Sequence, residues 1–237
     1  MGATITAAKA GPWFDPTTWI GGVIPGDGDT AQPGSFVVTI DGSIDLGEGN
    51  LDCRGQSGYF LVSTGGLTIT CANILAGTST NGAVRFTAAA PNTLAIFANV
   101  TGGSANYAYG AFNGSTGSMT ITGNVTGGSV YNAYGAVNGS TGSMTITGNV
   151  TGGSGGSSAY GAFNGSTGSM TITGNVTGGS GSGISACGAV NISTGSVTIT
   201  GSVTGGSANY AHGAFNGSSG ILDIYGDVTG GPGAGLN

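Results

Sequence analysis

Positive charge is almost missing from this chain: Lys9, Arg54 and Arg85 are its only basic side chains among 237 residues. Nucleic-acid binding needs a basic stripe to displace phosphate counterions, so no nucleic-acid partner is expected. Charge of either sign is scarce, at 5% of residues with a net −6. Asp and Glu are absent from Cys53 to Leu222, and His212 is the single histidine. Glycoside hydrolysis ordinarily takes two facing carboxylates, and proton abstraction takes a base with a nearby cation or metal. The repeat region offers neither, so no catalytic, cofactor-binding or metal residues are expected there and the chain reads as a non-enzyme. Cysteine occurs three times, at Cys53, Cys71 and Cys187; an odd, scattered set is no disulfide framework, and three free thiols are expected. No stretch is long and apolar enough to span a bilayer, which predicts no membrane insertion. The opening "MGATITAAKAGPW" lacks the apolar core of a secretory signal, and predicts a chain not exported by that route.

What the chain has is glycine, 53 residues of it, together with an apolar fraction of 38%. There is no Gly-X-Y period as in collagen, and the apolar residues recur at fixed spacings as a buried core requires. The tetrapeptide "TGGS" or its equivalent begins at Thr101, Thr126, Thr151, Thr177, Thr204 and Thr229, a period of 25 to 27 residues. Such a period signals a solenoid. Within each period, Met119 and Ile121 alternate with Thr120 and Thr122, the mark of a half-buried strand. Val125 follows as a third apolar site, and the same places recur at Met144, Ile146 and Val150. A further strand, "AYGAFN", is read with Phe112 inward, because that position is always apolar, and with Tyr109 outward, because it varies through Tyr134, Tyr160, Cys187 and His212.

Three short strands per period, separated by Gly-, Asn- and Ser-rich corners, predict an all-β, single-stranded parallel β-solenoid. Glycine at the corners is expected to supply positive φ angles. The pattern extends to "FVVTIDGSIDLG", with Val38, Ile40 and Ile44 assigned the places of Met119, Ile121 and Val125, and to Leu67/Ile69, Leu94/Ile96 and Leu222/Ile224. That makes about eight coils and, at ~4.8 Å each, a rod roughly 40 Å tall. The domain division is a capping segment over 1–36, then one continuous repeat domain over 37–237. The cap holds Trp13 and Trp19, and seven of the nine acids lie between Asp15 and Asp52. Asp27, Asp29, Asp41 and Asp45 could supply oxygen ligands to calcium, but turn chemistry explains them fully.

"GPWFDPTTWIGGVIPGDGDTA" followed by "VVTIDG" resembles the W-x-D-x-x-T-W-x-G-G-x-x-P-x-x-G-D pattern that opens many β-helical extracellular and phage structural proteins, including those with G8-like domains. The repeats resemble the glycine-rich β-solenoid repeats of phage fibre and decoration proteins and of bacterial adhesins. These resemblances imply a structural and interaction role, most directly as a phage virion component, with a secreted bacterial adhesin or surface protein as the alternative. The implied locations are the virion or the extracellular cell surface. The implied partners are other virion proteins, self-association through the solenoid ends, and a host-surface glycan. The final coil, followed by "TGGPGAGLN" without an aromatic cap, is expected to be covered by a symmetry mate, another protein or further residues.

Two outward surfaces are candidates for recognition. Thr120, Thr122, Thr145, Thr147, Thr171, Thr173, Thr198 and Thr200 predict two uncharged columns, interrupted at the ends by Asp41, Phe97 and Asp223. They resemble the ice-binding face of insect β-solenoid antifreeze proteins, although Thr is also simply a good exposed strand residue. Length changes concentrate in the linkers "ANY", "VYN", "GGSS" and "GSGIS", and solenoid insertions gather on one face. They predict a variable ridge bearing Tyr107, Tyr109, Tyr131, Tyr134, Tyr160, Tyr210 and His212. Sequons such as those at Asn113 and Asn124 are read as corner residues rather than glycan acceptors.

Overall fold

The computed structural model describes residues 2–78, 84–86 (backbone only), 93–155, 157–181, 183 and 185–232. Gly156 of the "GGSS" linker, Ser182 and Ile184 of "GSGIS", the Arg85 side chain and the chain after Pro232 lie outside them.

The chain is an all-β parallel solenoid of about eight turns at roughly 25-residue spacing. Every paired strand among the described residues is parallel; an isolated bridge between Ala7 and Trp19 is antiparallel. Among the described residues one sheet has sixteen strands, a second has nine, and Ser154–Gly155 and Ser180–Gly181 form a third of two. A middle coil contributes Ala111–Asn113 to the nine-stranded sheet, and Ser118–Thr122 and Val125–Thr126 to the largest.

Equivalent residues sit directly above one another. Met119, Ile121 and Val125 pair with Met144, Ile146 and Val150, which pair in turn with Met170, Ile172 and Val176. All nine are buried. One amphipathic coil cannot bury its apolar side alone; stacked coils can, and each also satisfies the next coil's backbone amides. That is the physical reason for repeating one sentence.

The first coil departs from the expected register. Val38 belongs to the strand Val37–Thr39 of the nine-stranded sheet and pairs with Phe60. Ile44 takes the Ile121 place through Ile69 and Ile96, and Leu51 takes the Val125 place through Ile74 and Val100. All three strands of a coil alternate with the same period of two, so alternation alone does not say which sheet a run joins. Residues ahead of Phe36 add rungs to the same two sheets: Thr4–Thr6 pairs with Thr30–Gln32, which pairs with Asn50–Asp52, and Gly11–Pro12 pairs with Val37–Thr39.

The "AFN" strand faces the other way from the reading of its apolar position. Ala111 and Asn113 point inward and are buried, whereas the Phe112 ring lies outside against Tyr109, with centroids 5.4 Å apart. The inward row here is alanine (Ala111, Ala136, Ala162, Ala189), small side chains throughout.

Glycine supplies positive φ at several corners as expected, among them Gly28, Gly47 and Gly66 at 79°, 49° and 77°. Gly123 and Gly148 do have positive φ, 149° and 153°. Gly153 does not; a Cβ there would overlap the Gly128 carbonyl oxygen of the coil below. Close approach of backbones sets the choice at the "TGGS" corner.

Candidate functional site

The threonine columns form as expected. Thr120, Thr145, Thr171 and Thr198 are paired in register, as are Thr122, Thr147 and Thr173. Thr200 lies just past the strand Ser196–Ile199, its N–H donating to the Ile172 carbonyl at 3.0 Å. The columns are bounded by Phe97 beside Thr122 and by Asp223 beside Thr198. Asp41 does not intrude. Asp45 pairs with Thr70 instead, and Asp41 accepts the Trp13 amide at 3.1 Å.

The ridge residues fall into a tighter arrangement than a variable loop. The phenol rings of Tyr109, Tyr134 and Tyr160 stack in one column, with centroids 5.5 and 4.8 Å apart and planes within 16° and 12°. Phe163 lies alongside, 5.4 Å from Tyr134 and 5.8 Å from Tyr160. Tyr107 joins beside Tyr109 at 6.0 Å. Farther along the rod His212 lies 6.5 Å from Tyr210 and 6.2 Å from Phe215. Tyr131 is exposed and makes no ring contact among the described residues. The parallel bridges Tyr107–Asn132–Ser158–Ser185–Tyr210 restore register after each linker, so insertions of different length leave the rings aligned. Aromatic pairs of this geometry add ~0.5–1.5 kcal/mol each beyond the area they bury. Burial pushes the Tyr134 phenol above its ordinary pKa, reinforced by Tyr160, and burial does the same to Tyr109. Both shifts favour the uncharged phenol at Tyr109 and Tyr134.

Inside the same wall is a feature that the sequence reading missed. Asn113, Asn138, Asn164 and Asn191 are each 0% exposed. The Nδ2 of each donates to the Oδ1 of the next, at 3.3, 3.2 and 3.2 Å. Asn138, Asn164 and Asn191 also donate to the carbonyls of Gly142, Gly168 and Gly195. The visible signal was the fixed Asn-x-x-x-Gly spacing in every repeat. These sequon asparagines are closed to modification in the folded chain. Asn124, by contrast, is exposed, and its Oδ1 accepts the Asn149 amide at 3.0 Å.

The acids serve turns. Asp29 accepts the amides of Ala3 and Gly26, Asp45 that of Gly47, and Asp15 both the amide and hydroxyl of Thr17. Burial raises the Asp52 carboxyl, but hydrogen bonds and charge from Arg54, 2.9 Å away, outweigh it and the net shift is downward. Trp13 and Trp19 pack edge-to-face at 4.9 Å in the core, the Trp19 indole donating to the Trp13 carbonyl. The residues carrying the N-terminal resemblance are thus occupied in packing and turns. Among the described residues, no three His, Cys, Asp or Glu side chains gather to hold a metal ion.

All three thiols are free and buried. Burial pushes Cys71 up to about 12 and raises Cys53 and Cys187 as well. The thiolate is the reactive form, so an aromatic disulfide reagent at pH 8 is expected to label neither Cys53 nor Cys71 in the native protein and both of them in denaturant. Rapid native labelling would contradict this packing.

The last described coil exposes Phe215, Ile221, Tyr225 and Val228, and its strands Ala214–Asn216, Ile221–Ile224 and Val228–Thr229 are paired on one side only. No protein-family model matches the chain, and neither a curated protein nor a solved structure is significantly similar to it.

Proposed function

We propose that this chain is a non-enzymatic structural and interaction rod, a phage virion component of the tail-fibre or capsid-decoration kind. The observation that carries the reading is the outward column of stacked tyrosines, flanked by phenylalanines and held in register by a stiff parallel ladder. The rings are half-buried and present their outer faces as one continuous strip, and Tyr is favoured at interfaces because it offers large rigid area with a polar tip. The apolar surface of the last described coil suits contact with another virion protein or a second copy of the chain.

In the test, antibody to the rod is applied to phage particles and to bacterial cells. Gold label on tails or capsids is expected; label confined to the bacterial surface would replace the virion assignment with the secreted adhesin. In solution, the Tyr134→Ser, Tyr160→Ser double variant is expected to lose about tenfold in surface binding and to stay folded, since other coils carry Cys187 or His212 at this place. Turnover of a bound polysaccharide would overturn the non-enzymatic reading. A second reading, an ice-binding face, is supported by the register of the threonine columns. Thermal hysteresis abolished by Thr145→Tyr and Thr171→Tyr would favour it over the first.

A further inference from the structure

The aromatic column is broken once. Tyr109, Tyr134 and Tyr160 precede the break and His212 follows it, but the coil between carries Cys187. In that same coil Val190 stands where the neighbouring coils have Phe163 and Phe215. One rung therefore lacks both of its rings, and a cleft of about 360 Å³ opens there. Tyr160 and Phe163 form one wall and His212 and Phe215 the other. Cys187 and Val190, 4% and 3% exposed, form the floor. The volume sits at the small end of the range for ligand sites, ~300–1,000 Å³.

We propose that this notch binds one neutral saccharide ring, inserted between the Tyr160 and His212 walls in the place of the missing rung. The proposal deepens the interaction reading by naming a ligand class and a subsite, and rests on it for the strip's access to a partner.

Three observations point to a sugar. First, the walls are two rungs apart, about 9.6 Å at ~4.8 Å per rung. A free flat ring in contact with both sides at ~3.5–4.0 Å fills only about 7–8 Å of that. A puckered ring with hydrogens on both faces takes up the remainder. The tyrosines themselves are flat, but each is held at its rung by its own Cα. Second, the cleft carries no Asp, Glu, Lys or Arg, so a charged ligand would find no counter-charge. Third, the rim is polar with unused capacity: Ser185, Tyr210 and His212 line the edge, and the side chains of Tyr160, Tyr210 and His212 make no hydrogen bond to another described residue. Apolar C–H faces against the rings and hydroxyls at the rim match a saccharide's two kinds of surface.

His212 is the only histidine, so its ring protons report on this notch alone in a proton NMR titration. The probes are neutral mono- and disaccharides of hexoses and N-acetylhexosamines, with phenylalanine amide as the flat-ring comparison. The wild type and Cys187→Ala, which keeps the notch open, are expected to show matching shifts with at least one saccharide. Cys187→Tyr restores the residue found in three other coils and should fold; it is expected to weaken saccharide binding by about tenfold or more. The proposal is overturned if no saccharide moves the His212 signals, if Cys187→Tyr binds like the wild type, if Cys187→Ala also loses binding, or if only phenylalanine amide binds. Surface adhesion measured on the same variants separates the two readings. Adhesion without saccharide binding sinks the notch and leaves the interaction rod standing; saccharide binding without adhesion supports the notch and counts against the rod.

Discussion

Replacing Gly153 by alanine is expected to destabilise the protein by about 4 kcal/mol or more, an effect reserved for a few mechanisms. The mechanism here is backbone collision. The added methyl would overlap the Gly128 carbonyl oxygen, which accepts the Ser154 amide at 3.0 Å. Relief requires parting two coils, and parting them breaks hydrogen bonds on both sides of the rod. Gly26→Ala is the matched control: nothing lies within 4 Å of a Cβ there and its φ is ordinary, so a change within about 0.5 kcal/mol is expected. The same substitution at Gly231, on the last described coil, collides with Gly206 but has one neighbouring coil to disturb rather than two. It should cost less than Gly153→Ala. Urea midpoints rank the three. Because stability in a solenoid is a sum over coils and their interfaces, the Gly153 variant should also unfold over a broader range, its two halves no longer coupled. Equal midpoints for Gly153→Ala and Gly26→Ala would refute the collision.

The repeating core was legible because burial writes itself as period two: Met119, Ile121 and Val125 and their copies face inward as read. What the period does not encode is which sheet a strand joins, hence the misplacement of Val38, or which of two mixed faces is buried. In "AFN" both faces carry an apolar residue, Ala111 or Phe112, and hydrophobicity favours the phenylalanine. In the structure alanine and asparagine face inward, the asparagines joined in a hydrogen-bonded row, and the ring lies outside. That single reversal created the aromatic strip, so the outward tyrosines were foreseen while Phe112 and Phe163 were not. The notch at Cys187 was written as two departures from the repeat, Cys for Tyr and Val for Phe, three residues apart. Only the stacked geometry makes them one site.

The buried asparagines carry the second large effect. Asn164→Ala is expected to lose about 3 kcal/mol, since roughly 1 kcal/mol goes with each hydrogen bond and an orphaned buried partner adds to it. The amide donates to the Gly168 carbonyl at 3.3 Å and to Asn191 at 3.2 Å, and accepts from Asn138 at 3.2 Å. Asn164→Asp discriminates between a hydrogen-bonding role and simple space filling, because the two side chains have nearly the same shape. A carboxylate cannot donate to Gly168 or Asn191, and ionising it in this wall is costly. Its folded pKa must therefore rise above the unfolded value near 3.9. Between those two values the native state binds more protons than the unfolded one, so stability falls as pH rises. The variant should be closest to wild type in acid below about pH 4 and worse than Asn164→Ala at pH 7. Wild type has no titrating group at this position and should lack that component of the slope. Urea midpoints at pH 3.5 and 7 decide it: an Asn164→Asp protein as stable as wild type at both would mean that the ladder of amides contributes nothing beyond packing.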